Sequence, residues 1–303
     1  MANITIHYGI TGPVPFIDVD VAADNRLYVD PRAIRLRRSP QPFADEAVRC
    51  SDTFLTAITD CIFDGSSSAL RRGEDLLCHF IEPWETRLGM AAEGFGGHGG
   101  AAVVGGWIWA TLTGDVEALV RLGILHQLED LPVFVDGVDK DITSDVATRI
   151  MFEPLARFTE QMLATYPEFT SDGHEVRTFR KQVWNPATYG WDEKDFTLPV
   201  VDGKELLLVP TGWARSTLLM SAGRYYETSV LSFVQMEQAV LGRNGKPLRT
   251  PKRLLKKRPD LVRGRRTSLE VTLRAIRNRD DLLAMFKRFV DERYDDGLGE
   301  AAA

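Results

Sequence analysis

The residues best suited to chemistry sit in one stretch, Asp136-Gly137-Val138-Asp139-Lys140-Asp141-Ile142-Thr143-Ser144-Asp145-Val146-Ala147-Thr148. Divalent cations such as Mg2+ or Mn2+ take clustered oxygen ligands, and a metal held that way activates water and offsets charge on a leaving oxygen. Asp136, Asp139, Asp141 and Asp145 therefore form the candidate catalytic set. The order of acids is not that of an EF-hand, which needs a glycine at its sixth position and a closing glutamate. A purely structural role competes with this reading, because acids in a first helical turn offset the helix dipole and Ser or Thr caps it. Capping explains Ser144 and Asp145 but leaves Asp136 and Asp139 without a reason.

Two further acidic groups could join. Asp18 and Asp20 alternate with Ile17, Val19 and Val21, so on a strand they project from one face roughly 6.5 to 7 Å apart. Asp30 could reach them from a partner strand, although the same alternation fits an ordinary solvated hairpin face. Glu82-Pro83-Trp84-Glu85 holds two carboxylates around a proline and an aromatic, suited to a ligand or base, or simply to a loop. The metal-ligand pool is thus Asp18, Asp20, Glu82, Asp136, Asp139 and Asp145.

Other motifs exclude more than they offer. Gly94-Phe95-Gly96-Gly97-His98-Gly99 matches GxGxxG in letters, but no buried strand precedes it, so dinucleotide binding is not expected. No Gly-Lys-Ser/Thr follows to make a Walker A loop. The histidines at 7, 79, 98, 126 and 174 show no HxH or HExxH spacing, and no GxSxG elbow is present.

Charge is unevenly spread. The 303 residues carry a net −6, yet residues 243–266 hold eleven basic side chains against Asp260 alone, a local +10 that leaves −16 elsewhere. Lys252, Arg253, Lys256, Lys257, Arg258, Arg263, Arg265 and Arg266 supply the density that phosphate binding requires, which points to a nucleic-acid partner. A solvated basic helix face, or docking on the chain's own acidic surface, is the competing reading. Trp184 and Trp191 bracket a polar loop and could stack bases, or pack in the core as tryptophan more often does.

The elements that must position these groups can be read from periodicity. Residues 17–29 suggest an N-terminal hairpin, and residues 45–63 and 70–80 two helices separated at Gly65-Ser66-Ser67-Ser68. An apolar helix near 103–112 and a helix over 115–126 follow. Pro132 to Asp136 reads as a short buried strand feeding a helix that carries Val146, Ile150, Leu155, Phe158 and Met162, which Pro154 should kink or restart. Strands are expected at 179–184, 196–201 and 205–209, with Asp202-Gly203 as a hairpin turn. The fold class is α+β, with mixed sheet elements and a largely helical C-terminal third. Residues 1–215 form the main domain with the acidic motif, and 216–303 a helical region with the basic segment.

Hydrophobic residues at 44% and charged residues at 26% suit a globular chain. Cys50, Cys61 and Cys78 form no CxxC pair and read as reduced thiols. The most apolar run, about 12 residues from Ala101, falls short of the roughly 20 a membrane span needs, so no membrane partner is expected. Met1 opens onto no export signal, and the expected location is the cytoplasm.

The DxD strand at Asp18-Val19-Asp20, Glu82-Pro83 with Glu85, the glycine loop, the GxDxDxxSDxxT run from Gly137 to Thr148 and Leu207-Leu208-Val209-Pro210 are together similar to a family of bacterial hypothetical proteins, over most of residues 15–215. That resemblance implies no activity. The residues themselves point to a divalent-metal-dependent hydrolase of phosphate esters, a nuclease or phosphodiesterase with nucleic acid as the expected substrate. The alternative is a non-enzymatic nucleic-acid-binding or assembly protein whose acidic body docks a protein partner. A third option is a nucleotide or small-ligand sensor built on the glycine loop.

Overall fold

Apolar residues recur at helical spacing through the first half of the chain, and one long helix gathers the rest around it. The computed structural model describes residues 2–23, 25–89, 100–241 and 247–294. A short helix α1 (Ile4–Tyr8) precedes a two-residue strand β1 (Tyr28–Val29) and the helix α2 (Pro31–Arg37). Pro31 at N1 and the Asp30 carboxylate, which accepts from the backbone N–H of Arg32 at 2.9 Å and of Ala33 at 3.2 Å, set the start of α2. In α3 (Phe43–Asp64), Ala47, Cys50, Phe54, Ile58 and Cys61 fall on the buried stripe, and the helix stops at Gly65 with φ 68°. α4 (Ser67–Leu77) begins where the Ser66 hydroxyl accepts from the N–H of Ala69. α5 (Gly100–Leu112) and α6 (Glu117–Arg121) close a helical layer with α3 and α4.

Next come α7 (Leu131–Phe134), α8 (Lys140–Ile150) and α9 (Phe152–Thr165). The helical run breaks at Met151, three residues before Pro154, as the missing proline N–H requires. The hairpin of β2 (Glu175–Asn185) and β3 (Gly190–Val201) is antiparallel, with Glu175 opposite Val200 and Asn185 opposite Gly190. Asp202 and Gly203, both at positive φ, turn β3 into β4 (Lys204–Glu205), the conformation a two-residue primed turn needs. α3 and α9 pack against this hairpin. Trp184 is fully buried in that contact, its indole N–H donating to Thr53 Oγ1 at 2.9 Å. Trp191, partly buried, packs edge-on to Phe54 and Trp184 and donates to the Leu76 carbonyl, while the burial of Trp184 removes that ring from any stacking on bases.

Beyond β5 (Ala214–Arg215) the chain is mainly helical: α10 (Ala222–Tyr225), a π-helical turn at 226–230, α11 (Leu231–Glu237), the small hairpin β6 (Val240–Leu241) and β7 (Pro247–Leu248), α12 (Lys252–Leu255), α13 (Arg265–Arg277) and α14 (Leu282–Asp291). Ion pairs tie this region to the rest, Arg32 to Asp291 at 2.5 Å and Lys287 to Asp130 at 2.8 Å. The architecture is α+β, with small antiparallel sheets set among helices. No helix among the described residues is long and apolar enough to cross a membrane. The three cysteines are free thiols.

The expected N-terminal hairpin and the expected strand at 132–136 are absent, and of the strand expected at 205–209 only Glu205 is in a strand, β4. The N-terminal hairpin does not form: β1 pairs with β5, far along the chain, while Ile17 N–H donates to the Val209 carbonyl and Ile4 N–H to that of Val19. Phe16 to Val21 is thus threaded between α1 and the 207–211 segment, and its alternation reflects burial between those neighbours. The Asn25 side-chain amide donates to the carbonyls of Asp20, Ala23 and Arg87. Of the strand expected from Pro132 to Asp136, residues 132–135 are buried and Asp136 is exposed, but Leu131–Phe134 is helical, with the N–H of its C-cap Val135 donating to the Leu131 carbonyl at 2.8 Å. A short run buried on every side carries no period to separate the two conformations.

Candidate active site

Helical geometry places residues four apart on one face, so α8 presents Asp141 and Asp145 together. Both line a cleft of about 380 Å³ whose other walls are residues 21–23, the loop 82–84 and 87–89, and Val201, Asp202 and Lys204 around the β3–β4 turn. Asp139 stands just before α8 as its N-cap, accepting from the N–H of Asp141 at 3.1 Å. The Asp145 carboxyl is pushed up to about 8, first by burial and then by the charges of Asp141 and Glu82, with Asp139 adding to them; Arg149 pulls the other way and is outweighed. Asp145 is thus a carboxylate crowded by others.

Glu82 owes its position to a buried ion cluster beneath the cleft. Glu85 is fully buried, and Arg149 reaches its two oxygens at 3.1 and 2.9 Å while Lys181 Nζ approaches at 2.9 Å. Lys181 also contacts Glu205. Burial raises the Glu85 carboxyl, but Arg149 and Lys181 outweigh it and hold the group below its ordinary value. Arg149 further donates to the carbonyls of Ile81 at 2.5 Å and Glu82 at 2.8 Å, so one side chain from α8 pins the whole 81–85 turn. Arg87, in left-handed conformation, donates to the carbonyls of Val21 at 3.1 Å and Trp84 at 2.6 Å. Loop 20–23 is thereby joined to loop 82–87 at the cleft rim.

Of the sequence candidates, Glu82, Asp141 and Asp145 share the cleft, with Asp139 at the helix start beside it. Asp136 lies elsewhere: its side chain is 89% exposed and 4.0 Å from Arg265. Asp18 is occupied by Thr5, accepting from its N–H at 2.9 Å and its hydroxyl at 2.6 Å, which anchors α1. Asp20 accepts from Ala22 N–H at 2.9 Å and closes a turn, and Asp30 caps α2 while accepting from Leu219 N–H at 2.7 Å. Among the described residues no three His, Cys, Asp or Glu side chains are grouped to hold a metal by themselves. Glu85, a candidate base or ligand in the sequence, is instead the buried anchor of the loop. Residues 90–99, and with them almost all of the glycine-rich loop, lie outside the described residues.

Sequence reasoning missed Arg87, Arg149 and Lys181. Arg149, four residues after Asp145, carried the one available signal, since it must share the acids' side of α8. It also read Asp202-Gly203-Lys204 as a turn only, whereas the turn carries Asp202 and Lys204 into the cleft.

Much of the basic segment is engaged within the chain. Lys256 pairs with Glu227 at 2.5 Å, Arg258 with Asp260 at 2.6 Å and Arg266 with Glu270 at 3.0 Å. Lys252 donates to the Glu227 carbonyl, and Arg265 to those of Pro132 and Val138. The Arg263 guanidinium covers Gly223, where an added Cβ would meet it at 2.1 Å. Arg253 and Lys257 stand exposed, with no ion-pair partner among the described residues.

No curated protein and no solved structure matches the chain. A family model described as Domain of unknown function (DUF8370) matches residues 9–221, a span that holds the whole cleft and ends before the basic segment. The chain belongs to that family.

Proposed function

We propose that the cleft is the active centre of a divalent-metal-dependent hydrolase of phosphate esters. One observation carries the reading: α8 sets Asp141 and Asp145 one turn apart on the wall shared with Glu82, while Arg87 and Lys204 line the same cleft. Mg2+ commonly takes one or two carboxylates, keeps several waters and completes its shell from substrate phosphate. Such a site needs no cage of three or more side chains. Bound there, Mg2+ or Mn2+ would polarise the phosphoryl oxygens and activate water. The carboxylates of this chain recruit the ion, and Arg87 and Lys204 hold the ester's negative charge. A cleft of about 380 Å³ has the size of a small-molecule site, so the part of a nucleic-acid substrate held within it would be about a nucleotide.

Thermal melting with millimolar Mg2+ or Mn2+, alone and with inorganic phosphate, tests this. A ligand at a hundred times its Kd adds about 2.7 kcal/mol of stability. The melting temperature should rise in the wild type and not in the double variant Asp141→Asn, Asp145→Asn. The wild type should also cleave p-nitrophenyl phosphate or its bis ester with metal. No shift under either condition, together with no cleavage, would end this reading.

A second reading is supported by the exposed charges of Arg253 and Lys257: a nucleic-acid contact on the basic segment, independent of catalysis.

A further inference from the structure

Trp84 is 44% exposed, a large apolar ring on the wall of the cleft that the acids and Lys204 also line. It is held rigidly. It begins a 3-10 turn from Trp84 to Thr86, its carbonyl accepts from Arg87, and the next residue, Glu85, is clamped by Arg149 and Lys181. The same two cations lie over the indole, Lys181 Nζ at 5.5 Å and the Arg149 guanidinium carbon at 5.8 Å from the ring centroid. Cations at that range already draw on the ring's quadrupole. A cationic ligand on the exposed part of the ring would meet their like charge, whereas an uncharged π-face would not. Val21, Pro83, Leu88 and Val201 give that space apolar walls.

We propose that Trp84 is the stacking platform for a planar heterocycle, so that the cleft takes a nucleoside phosphate with its ring on the indole and its phosphate toward Arg87 and Lys204. This rests on the phosphate-ester reading above. Stacking of a base on an aromatic side chain is strong enough to change affinity by about tenfold or more and tolerates every base, because each has a π-face.

Calorimetric titration of the full chain with AMP and with ribose 5-phosphate, both in millimolar Mg2+, isolates the ring. AMP should bind the wild type about tenfold tighter or better. Trp84→Leu should bring the two ligands to within about twofold, leaving ribose 5-phosphate unchanged, and Trp84→Phe should keep part of the preference. The unchanged ribose 5-phosphate affinity also reports that the cleft of the leucine variant is intact. Equal affinities in the wild type, or a preference that survives Trp84→Leu, would overturn the stacking role and leave the phosphate-ester reading standing. If neither compound binds, with or without Mg2+, that reading falls and the stacking role with it.

Discussion

Arg149 and Glu85 meet by a double contact, at 3.1 and 2.9 Å, beneath a cleft that neither of them lines. The pair joins the last turn of α8, which carries the two cleft aspartates, to the loop that carries Glu82 and Trp84. It is the mechanical link between the two acidic walls.

Removing the arginine leaves a fully buried carboxylate with only Lys181 for company. Arg149→Met should therefore destabilise the fold by about 3 kcal/mol, the lower part of the range for breaking a buried pair. Adding Glu85→Gln should recover part of that loss, since the uncompensated charge goes with it. Urea denaturation of the single and double variants measures both, and a double variant no more stable than Arg149→Met would show that Arg149 acts through its carbonyl contacts with Ile81 and Glu82.

Asp145 should make stability depend on pH. Its folded value is about 8, against an unfolded value near 4. Between those limits the native state keeps a proton that the unfolded chain has released, so metal-free stability should fall as pH rises from about 4 to 8. Glu82, Asp139 and Asp141 raise the group and Arg149 lowers it, and all four remain in Asp145→Asn. That variant should lose the downward slope and exceed the wild type in stability at pH 8. Melting curves in EDTA across this range decide the matter; parallel slopes for the two proteins would count against a crowded Asp145.

Local features of this fold were legible because the residues that make them are adjacent. Asp202-Gly203 had to turn, Pro154 had to interrupt a helix, and Asp141 with Asp145 had to share a face. The partner of Tyr28 is Arg215, and that of Glu85 is Arg149. No periodicity reports such pairings, because they are chosen by the packing of distant elements. The acids of Asp18-Val19-Asp20 looked like those that line the cleft, and it is the folded position of Thr5, distant in sequence, that commits the Asp18 carboxylate to anchoring α1.

Two adjacent glycines in α5 should respond in opposite ways. A Cβ on Gly105 would lie 2.1 Å from the Leu77 carbonyl oxygen, a backbone atom that cannot step aside, while one on Gly106 meets nothing within 4 Å. Gly105→Ala should cost about 1–3 kcal/mol through overpacking against α4. Gly106→Ala should add about 0.5–1 kcal/mol, because alanine loses less backbone entropy in a helix. Urea unfolding of both variants checks the contrast, and a neutral Gly105→Ala would mean that α5 does not sit this close to α4.

On the basic segment, the nucleic-acid proposal now narrows to the side chains the fold leaves available. Lys256 and Arg258 hold Glu227 and Asp260, and because these pairs are largely exposed, neutralising Lys256 should change stability by less than about 1 kcal/mol. Arg253 and Lys257 are exposed and have no such partner among the described residues. Each phosphate contact to a single strand contributes about −0.7 to the slope of log K against log salt. The double variant Arg253→Gln, Lys257→Gln should therefore flatten that slope by about 1.4 and weaken binding of a labelled single-stranded oligonucleotide, with the melting temperature unchanged. Fluorescence anisotropy between about 50 and 200 mM salt provides the measurement. A wild type with no salt-sensitive affinity for DNA or RNA would leave the segment's charge to the fold itself, whose Glu227, Asp260 and Glu270 already engage part of it.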